Sequence, residues 1–211
     1  MILYCVRHGE SCYNAEGRIQ GQSNTPLSPL GQQQAQAVTE ALRSLAIDAI
    51  YCSPLRRARE TAQPLADALQ LEVRVDPRLM EIHVGIFQDV LHAEIAKVYP
   101  QETAHWRSSE ADYRIPQGES RRDLMLRAGA AFEAIHAAGH PRAVVVSHGG
   151  TFASAFKALL GIPAERNPFS LYNASISQVH WARQFKLMTL NQTGHLAAAG
   201  CERLSTGTDF F

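Results

Sequence analysis

The chain has 211 residues, of which 45% are hydrophobic, 8% aromatic and 19% charged. Area scaling gives about 9,700 Å² of folded surface against about 34,000 Å² unfolded, so roughly 70% is buried on folding; a disordered chain, a collagen-like repeat and a stapled miniprotein are excluded. Twenty Lys and Arg balance twenty Asp and Glu, so no global field draws the chain to nucleic acid or to an anionic membrane, and any anion site must be local.

Residues 1–6 are a short apolar run ending in a charged, glycine-bearing turn, which predicts a buried parallel strand closing at Arg7. Ser28-Pro29 opens a helix over 28–45, with Leu30, Val38, Ala41, Leu42 and Leu45 on one face. Residues 48–52 read as a second strand and 54–70 as a helix that Pro64 should kink. A third strand is expected at 72–75. Residues 83–118 have the weakest periodicity: a helix is predicted over 90–99, then irregular sequence to Pro116 and Gly118, and the whole stretch reads as an inserted lid. Ser120 with Asp123 resembles a capping box ahead of Leu124, Ala128, Ala131 and Ile135 at helical spacing. Residues 142–146 are the cleanest buried strand, and Gly149-Gly150 leads straight into a helix to about Leu160. Residues 175–181 and 184–190 alternate as two late strands joined by a tight turn.

Strands alternating with helices imply an α/β fold: a three-layer sandwich around a mostly parallel, doubly wound sheet, with helices on both faces and the lid inserted. Residues 1–211 are expected to form one domain. Cys5, Cys12, Cys52 and Cys201 show no paired spacing, so reduced thiols and a cytoplasmic location fit best. The first residues carry neither a basic leader nor a secretory apolar run, and nowhere do about 18 apolar residues run together, so no membrane association is expected.

Ligands of such sheets bind outside the carboxyl ends of the strands. Two strands here end in the same chemistry, Arg7-His8-Gly9 and Ser147-His148-Gly149-Gly150, so both histidines should enter one crevice. The start of the helix after strand two adds Arg56, Arg57 and Arg59, making a dense anion site in a neutral chain. Guanidinium groups grip phosphate oxygens bidentately and keep their charge. A neutral imidazole beside a phosphoryl group can attack phosphorus, and the glycines after each histidine permit a sharp turn and close ligand approach.

Arg7-His8-Gly9-Glu10-Ser11, Asn14, Gly17-Arg18-Ile19-Gln20-Gly21, Pro26-Leu27-Ser28 and Gly31 resemble the opening of the histidine phosphatase superfamily, in its phosphoglycerate-mutase-like branch. Ser53-Pro54-Leu55-Arg56-Arg57-Ala58, Leu79-Met80-Glu81-Ile82, Gly118-Glu119-Ser120 and the Ser147 block follow in that family's order. The resemblance implies that His8 becomes a phosphohistidine and that Arg7, Arg57 and His148 form the phosphate pocket. It also implies that Asn14, Gln20, Gly21 and Gly149 line the substrate site and that Glu81 is the general acid and then the base. Arg56 and Arg59 are expected to face solvent or nearby carboxylates. No metal and no organic cofactor is implied. Many members carry Glu-Gly where this chain has Gln88-Asp89, which puts the substrate edge in doubt and leaves the phosphate chemistry intact. His195, within a C-terminal segment similar to that of several bacterial phosphatases of the family, is a candidate for lining the pocket.

The bland reading of His8 and His148 is a pair of hydrogen-bonded core histidines, and their matching strand-end contexts weigh against it. A hydrolytic zinc site lacks any HExxH or paired Cys/His spacing. His83, His92 and His105 read as surface residues, and Trp106, Trp181 and Phe87 as packing. Between 83 and 118 five acidic residues outnumber three basic ones, which favours water over a second polyanion. The expected function is therefore a metal-independent phosphomonoester hydrolase acting on a small phosphorylated metabolite. A phosphoglycerate mutase and a non-catalytic phosphate-binding protein are the alternatives, and a homodimer stays open.

Overall fold

The two central strands are apolar on both faces, which obliges a helical layer on each side of the sheet. The computed structural model describes residues 1–203. Its strands are β1 (Ile2–Arg7), β2 (Ala49–Cys52), β3 (Val73–Val75), β4 (Arg142–Ser147), β5 (Ile176–Trp181) and β6 (Phe185–Gln192). The α-helices are α1 (Cys12–Glu16), α2 (Pro29–Leu42), α3 (Arg56–Leu69), α4 (Ile95–Val98), α5 (Pro100–Arg107), α6 (Arg121–Ala137), α7 (Gly149–Leu160) and α8 (Gly194–Ala198).

The strands form one six-stranded sheet in the order β3-β2-β4-β1-β5-β6. β3, β2, β4 and β1 run parallel, whereas β5 and β6 pair antiparallel along the other edge. Strand alternation divides the core. Leu3, Cys5, Ala143 and Val145 pack with Ala128, Phe132, Phe152 and Phe156 of α6 and α7. Val6, Ile50, Val144 and Val146 pack with Val38, Leu42, Ala62, Leu65 and Leu196 of α2, α3 and α8. The α/β sandwich expected from the sequence is therefore present, with an antiparallel hairpin completing the sheet.

Local chemistry explains the boundaries. Ser28 Oγ accepts from Gly31 N at 3.0 Å and Pro29 occupies the first turn, so α2 starts as expected, although it ends at Leu42, short of Leu45. The Ser120–Asp123 box is complete: Asp123 N donates to Ser120 Oγ at 3.1 Å and Ser120 N to Asp123 Oδ2 at 2.8 Å. Pro64 is held inside α3, which runs on to Leu69.

The helix predicted over 90–99 is not there. Leu91 bridges to Arg18, α4 spans only Ile95–Val98, and Pro100 begins the separate helix α5. Proline lacks the N–H that would continue a helix and suits the first position of a new one. The 83–118 stretch instead forms a third core, in which Val84, Phe87, Ile95, Trp106 and Ile115 close over Ile19, Ile82 and Leu124. Among the described residues no helix is long and apolar enough to cross a membrane.

Phe156 is fully buried and meets Phe132, Phe169 and Phe185 at ring-centroid distances of 6.3, 5.7 and 6.0 Å. Phe156→Ala should destabilise the fold by about 3–5 kcal/mol, measured as a lower urea midpoint at unchanged m-value. A loss below about 1 kcal/mol would mean that this aromatic cluster does not hold α7 to the sheet.

Candidate active site

β1 and β4 pair in parallel with Arg7 opposite Ser147, so the next residue of each strand, His8 and His148, lies at the same edge. Their rings sit 5.1 Å apart between centroids, tilted by 58°. β2 flanks β4 on its other side and ends just before buried Ser53, and the first turn of α3 then presents Arg57. Three parallel strands thus deliver five side chains to one crevice at their carboxyl ends.

His8 Nδ1 lies 2.7 Å from the carbonyl of Gly9 and donates to it, which leaves the lone pair on Nε2. Arg57 Nε donates to that Nε2 at 3.3 Å, in agreement with this tautomer. Burial first, then the Arg57 and Arg7 charges, push the His8 pKa well below its ordinary value, so the ring is neutral at pH 7. His148 is likewise lowered, by burial and then by Arg57, His8 and Arg7. Its Nε2 lies 2.8 Å from Ser53 Oγ, while its buried Nδ1 has no partner.

The two arginines are fixed by main-chain oxygens. Arg7 Nη1 donates to the Leu171 carbonyl, and Arg57 donates to the carbonyls of Ser23 and Gly21, both at 2.8 Å. Burial lowers each guanidinium to about 10, partly offset by the Glu81 charge, so both stay cationic at neutral pH. The turn that carries His8 is also tied down. Gly9 N donates to Thr61 Oγ1 at 3.0 Å, and Asn173 Nδ2 donates to the His8 carbonyl at 3.1 Å and to Asn14 Oδ1 at 3.2 Å.

Glu81 sits at the start of α7. Its Oε2 accepts from Gly150 N at 3.0 Å and its Oε1 from Ile82 N at 2.9 Å. A Cβ on Gly150 would lie 2.6 Å from Glu81 Oε1 and would push the carboxylate out of this position. The strand-to-acid loop is clamped from behind. Arg127 donates to the carbonyls of Arg78 at 2.8 Å and Glu81 at 2.9 Å while pairing with Glu119 at 2.5 Å.

The structure brings His8, Arg7, Arg57, His148 and Glu81 together, with Asn14 on α1, Gly149 at the start of α7, and Gln20 and Gly21 on the loop between α1 and α2. Gln20 Oε1 accepts from Ser11 Oγ at 2.7 Å and Thr25 Oγ1 at 2.8 Å. His195 is not brought to them. Its Nε2 bonds the Ala174 carbonyl at 3.0 Å, and its ring lies beside Tyr4, Ala41 and Leu45, in a cavity on the α2 side of the sheet. The cause is α8, a short helix that turns residue 195 back onto α2. Arg56 pairs with Glu60 at 2.6 Å, and Gln88 Oε1 accepts from Gln22 N at 2.9 Å, shaping the loop under Arg57.

Sequence reasoning assigned no role to Asn173, Ser53, Arg127 or Glu119. Ser53 and Glu119 lay inside recognised blocks. Asn173 carried no signal, because its place depends on β5 pairing back onto β1. Among the described residues no group of three or more His, Cys, Asp or Glu is placed to hold a metal ion.

The family model described as histidine phosphatase superfamily (branch 1) matches residues 3–193. The chain is 42% identical over 186 residues to the "Probable phosphoglycerate mutase GpmB" of Proteus mirabilis, covering 85% of this chain and 84% of that protein. Among solved structures, a mycobacterial glucosyl-3-phosphoglycerate phosphatase in complex with VO3 shares 36% identity at a TM-score of 0.82, over 91% of this chain and 99% of that one. The alpha-ribazole phosphatase from Shigella flexneri shares 27% identity at a TM-score of 0.83, over 91% and 96% of the two chains.

The two neutral imidazoles couple stability to pH. Their native pKa values lie below the unfolded value of about 6.5, so below that pH the unfolded chain binds protons that the native state refuses. Stability should be fully present above about pH 7.5 and fall towards pH 5.5, by up to about 1.4 kcal/mol per pH unit for each histidine. Urea unfolding at pH 7.5, 6.5 and 5.5 measures this slope, and His8→Asn and His148→Asn should each flatten it. A wild-type profile that is flat across this window would show that the rings are not held neutral.

Proposed function

We propose that this chain, which belongs to the histidine phosphatase superfamily (branch 1), is a metal-independent phosphomonoester hydrolase acting through a phosphohistidine on a small phosphorylated metabolite. One observation carries the reading: the bond from His8 Nδ1 to the Gly9 carbonyl aims an unprotonated Nε2 into a crevice between two buried guanidinium groups. A nucleophile, its orienting group and a preformed anion site are thereby present together.

In the proposed cycle, phosphoryl oxygens meet Arg7, Arg57 and His148. The Ser53 hydroxyl, which accepts from Leu55 N at 3.3 Å, donates to His148 Nε2 and leaves the His148 proton on Nδ1 for a ligand oxygen. His8 Nε2 forms the N–P bond as the ester P–O bond breaks, and Glu81 gives its proton to the departing oxygen. Water then attacks phosphorus while the Glu81 carboxylate takes a proton from it. The N–P bond breaks, and phosphate leaves with the His8 lone pair and the Glu81 proton both restored.

The printed name of the curated relatives favours a second reading, mutase activity. Local charge supports hydrolysis instead. Arg18, the additional cation nearest the early motif, already pairs with Glu16 at 2.8 Å, and within the 83–118 segment Lys97 pairs with Glu94 at 3.2 Å and Arg114 with Asp123 at 2.8 Å. That leaves few cations of the early motif and of the 83–118 segment to retain a bisphosphorylated intermediate against water. Cys5, Cys12, Cys52 and Cys201 are all free thiols, which fits a reducing cytoplasmic location.

Wild-type enzyme should hydrolyse para-nitrophenyl phosphate in excess EDTA, and acid-quenched enzyme should carry label from a labelled substrate on His8. His8→Ala should lose both. Label on His148, or isomerisation of 3-phosphoglycerate outpacing phosphate release on the best substrate, would overturn the reading.

Glu81→Gln should slow hydrolysis of alkyl phosphates about 10²–10⁴-fold, and should slow release of para-nitrophenolate, which departs without protonation, far less. Comparing kcat/KM for the two classes measures the difference. Equal losses would remove Glu81 from proton transfer.

A further inference from the structure

We propose that Arg121 and Lys157 form an anion subsite next to Glu81, which takes a carboxylate carried on the alcohol half of the substrate. The proposal rests on the phosphatase reading and narrows its substrate class to phosphomonoesters whose leaving alcohol bears a carboxylate.

Gly150, Ala153, Ser154 and Lys157 fall at i, i+3, i+4 and i+7, one face of α7. That face, with Ile82, Arg121, Leu124 and Asn167, encloses a small cavity. One end of the cavity is Gly150, whose N–H holds the Glu81 carboxylate at 3.0 Å. Lys157 lies towards the other end of the same helical face, and the side chains of a helix lean back towards its N-terminus. The cavity therefore begins at Gly150, beside the Glu81 carboxylate, and its lining reaches the two cations.

Charge is what makes this cavity unusual. Lys157 is 3% exposed, and its Nζ donates to the Ala164 carbonyl at 3.0 Å. Arg121 lies 3.5 Å above the Trp106 ring and donates from Nη2 to the Trp106 carbonyl at 2.8 Å, while its buried Nη1 has no partner. Among the described ion pairs neither cation has a carboxylate; the nearby Glu165 is instead 3.6 Å from Arg122. Burial and the neighbouring Arg121 lower the Lys157 ammonium to about 8, and burial lowers the Arg121 guanidinium to about 10. Two desolvated cations facing one cavity with no carboxylate in contact oppose folding. A bound anion removes that penalty and satisfies the orphan Nη1.

Size selects the anion. The cavity has about 20 Å³ of room, enough for one or two water-sized groups. A carboxylate, with two oxygens, suits so small a space better than a second phosphoryl group, with three. The same chemistry could instead bind a free anion, so the experiment must separate the two sources.

The test compares kcat/KM within pairs that differ by a carboxylate at increasing reach from phosphorus. The pairs are phosphoserine with phosphoethanolamine, 4-phosphoerythronate with erythritol 4-phosphate, and 6-phosphogluconate with sorbitol 6-phosphate. At least one carboxylate partner should be preferred tenfold or more by the wild type, and the preference should collapse towards unity in Arg121→Met and Lys157→Met. A wild-type ratio near one in every pair overturns the proposal without need of a variant, as does a preference that survives both substitutions. Arg121-dependent binding of acetate or chloride with unchanged ratios would assign the subsite to a free anion and also overturn it. Failure of the phosphatase reading shows separately, as absence of para-nitrophenyl phosphate hydrolysis by the wild type. Calorimetric binding of glycerate, erythronate and gluconate then decides the subsite alone: it stands if one of them binds at least tenfold more weakly to Arg121→Met, and falls if none does.

Discussion

The parallel register of β1 on β4 is the constraint from which the site follows. Both strands are apolar on both faces, so alternation alone does not distinguish one register from its neighbour. Their ends do. Arg7-His8 and Ser147-His148 must leave the sheet at the same level, and the pairing of Arg7 with Ser147 achieves this. With β2 beside β4, the same edge gathers Ser53 and the start of α3. A slip of one residue would carry His8 and His148 to different levels and turn one of them to the other face, so the site exists only in this register.

Within that frame the polar groups are held by the scaffold itself. Arg7 and Arg57 are directed by the carbonyls of Leu171, Ser23 and Gly21, and His8 by that of Gly9. Glu81 rests on the first turn of α7, and Thr151 Oγ1 and Ser147 Oγ hold the preceding chain through the Met80 and Leu79 carbonyls at 2.9 and 2.7 Å. Such fixed dipoles need little reorganisation when charge develops on a ligand, the condition under which electrostatic stabilisation is most effective.

Much of this was legible in the sequence, for identifiable reasons. The strand-end repetition of a histidine before glycine located His8 and His148, and the Ser28 and Ser120 caps located α2 and α6, because these signals are local. Glu81 was harder: its carboxylate is held by Gly150, 69 residues away, so only the family resemblance indicated it. Asn173 depends on β5 returning to β1, a pairing that no periodicity encodes. The 90–99 helix was misjudged in the other direction: only Ile95–Val98 is helical, and the stretch after it, expected to be irregular, opens with the helix that Pro100 starts. His195 was placed by similarity of its surrounding segment, whereas the five-residue helix α8 turns it away.

The 83–118 segment leaves and rejoins the fold at one waist, and its residues 88–92 also bond the 17–23 loop. Glu119 N donates to the His83 carbonyl at 2.9 Å, His83 N to Glu119 Oε1 at 2.8 Å, and Ile86 N to the Pro116 carbonyl at 3.1 Å. Beyond that waist the segment's apolar residues share a cluster with Ile19, Ile82 and Leu124, and just outside it Arg127 and Glu119 secure the loop that carries Glu81. The entropy of closing a loop grows only slowly with its length, so the exposed stretches between these contacts can lengthen, shorten or change charge with little leverage on Glu81. A scaffold built this way can exchange its substrate-facing cover while its phosphate chemistry stays in place, which makes recognition and reaction separable in the evolution of such a chain.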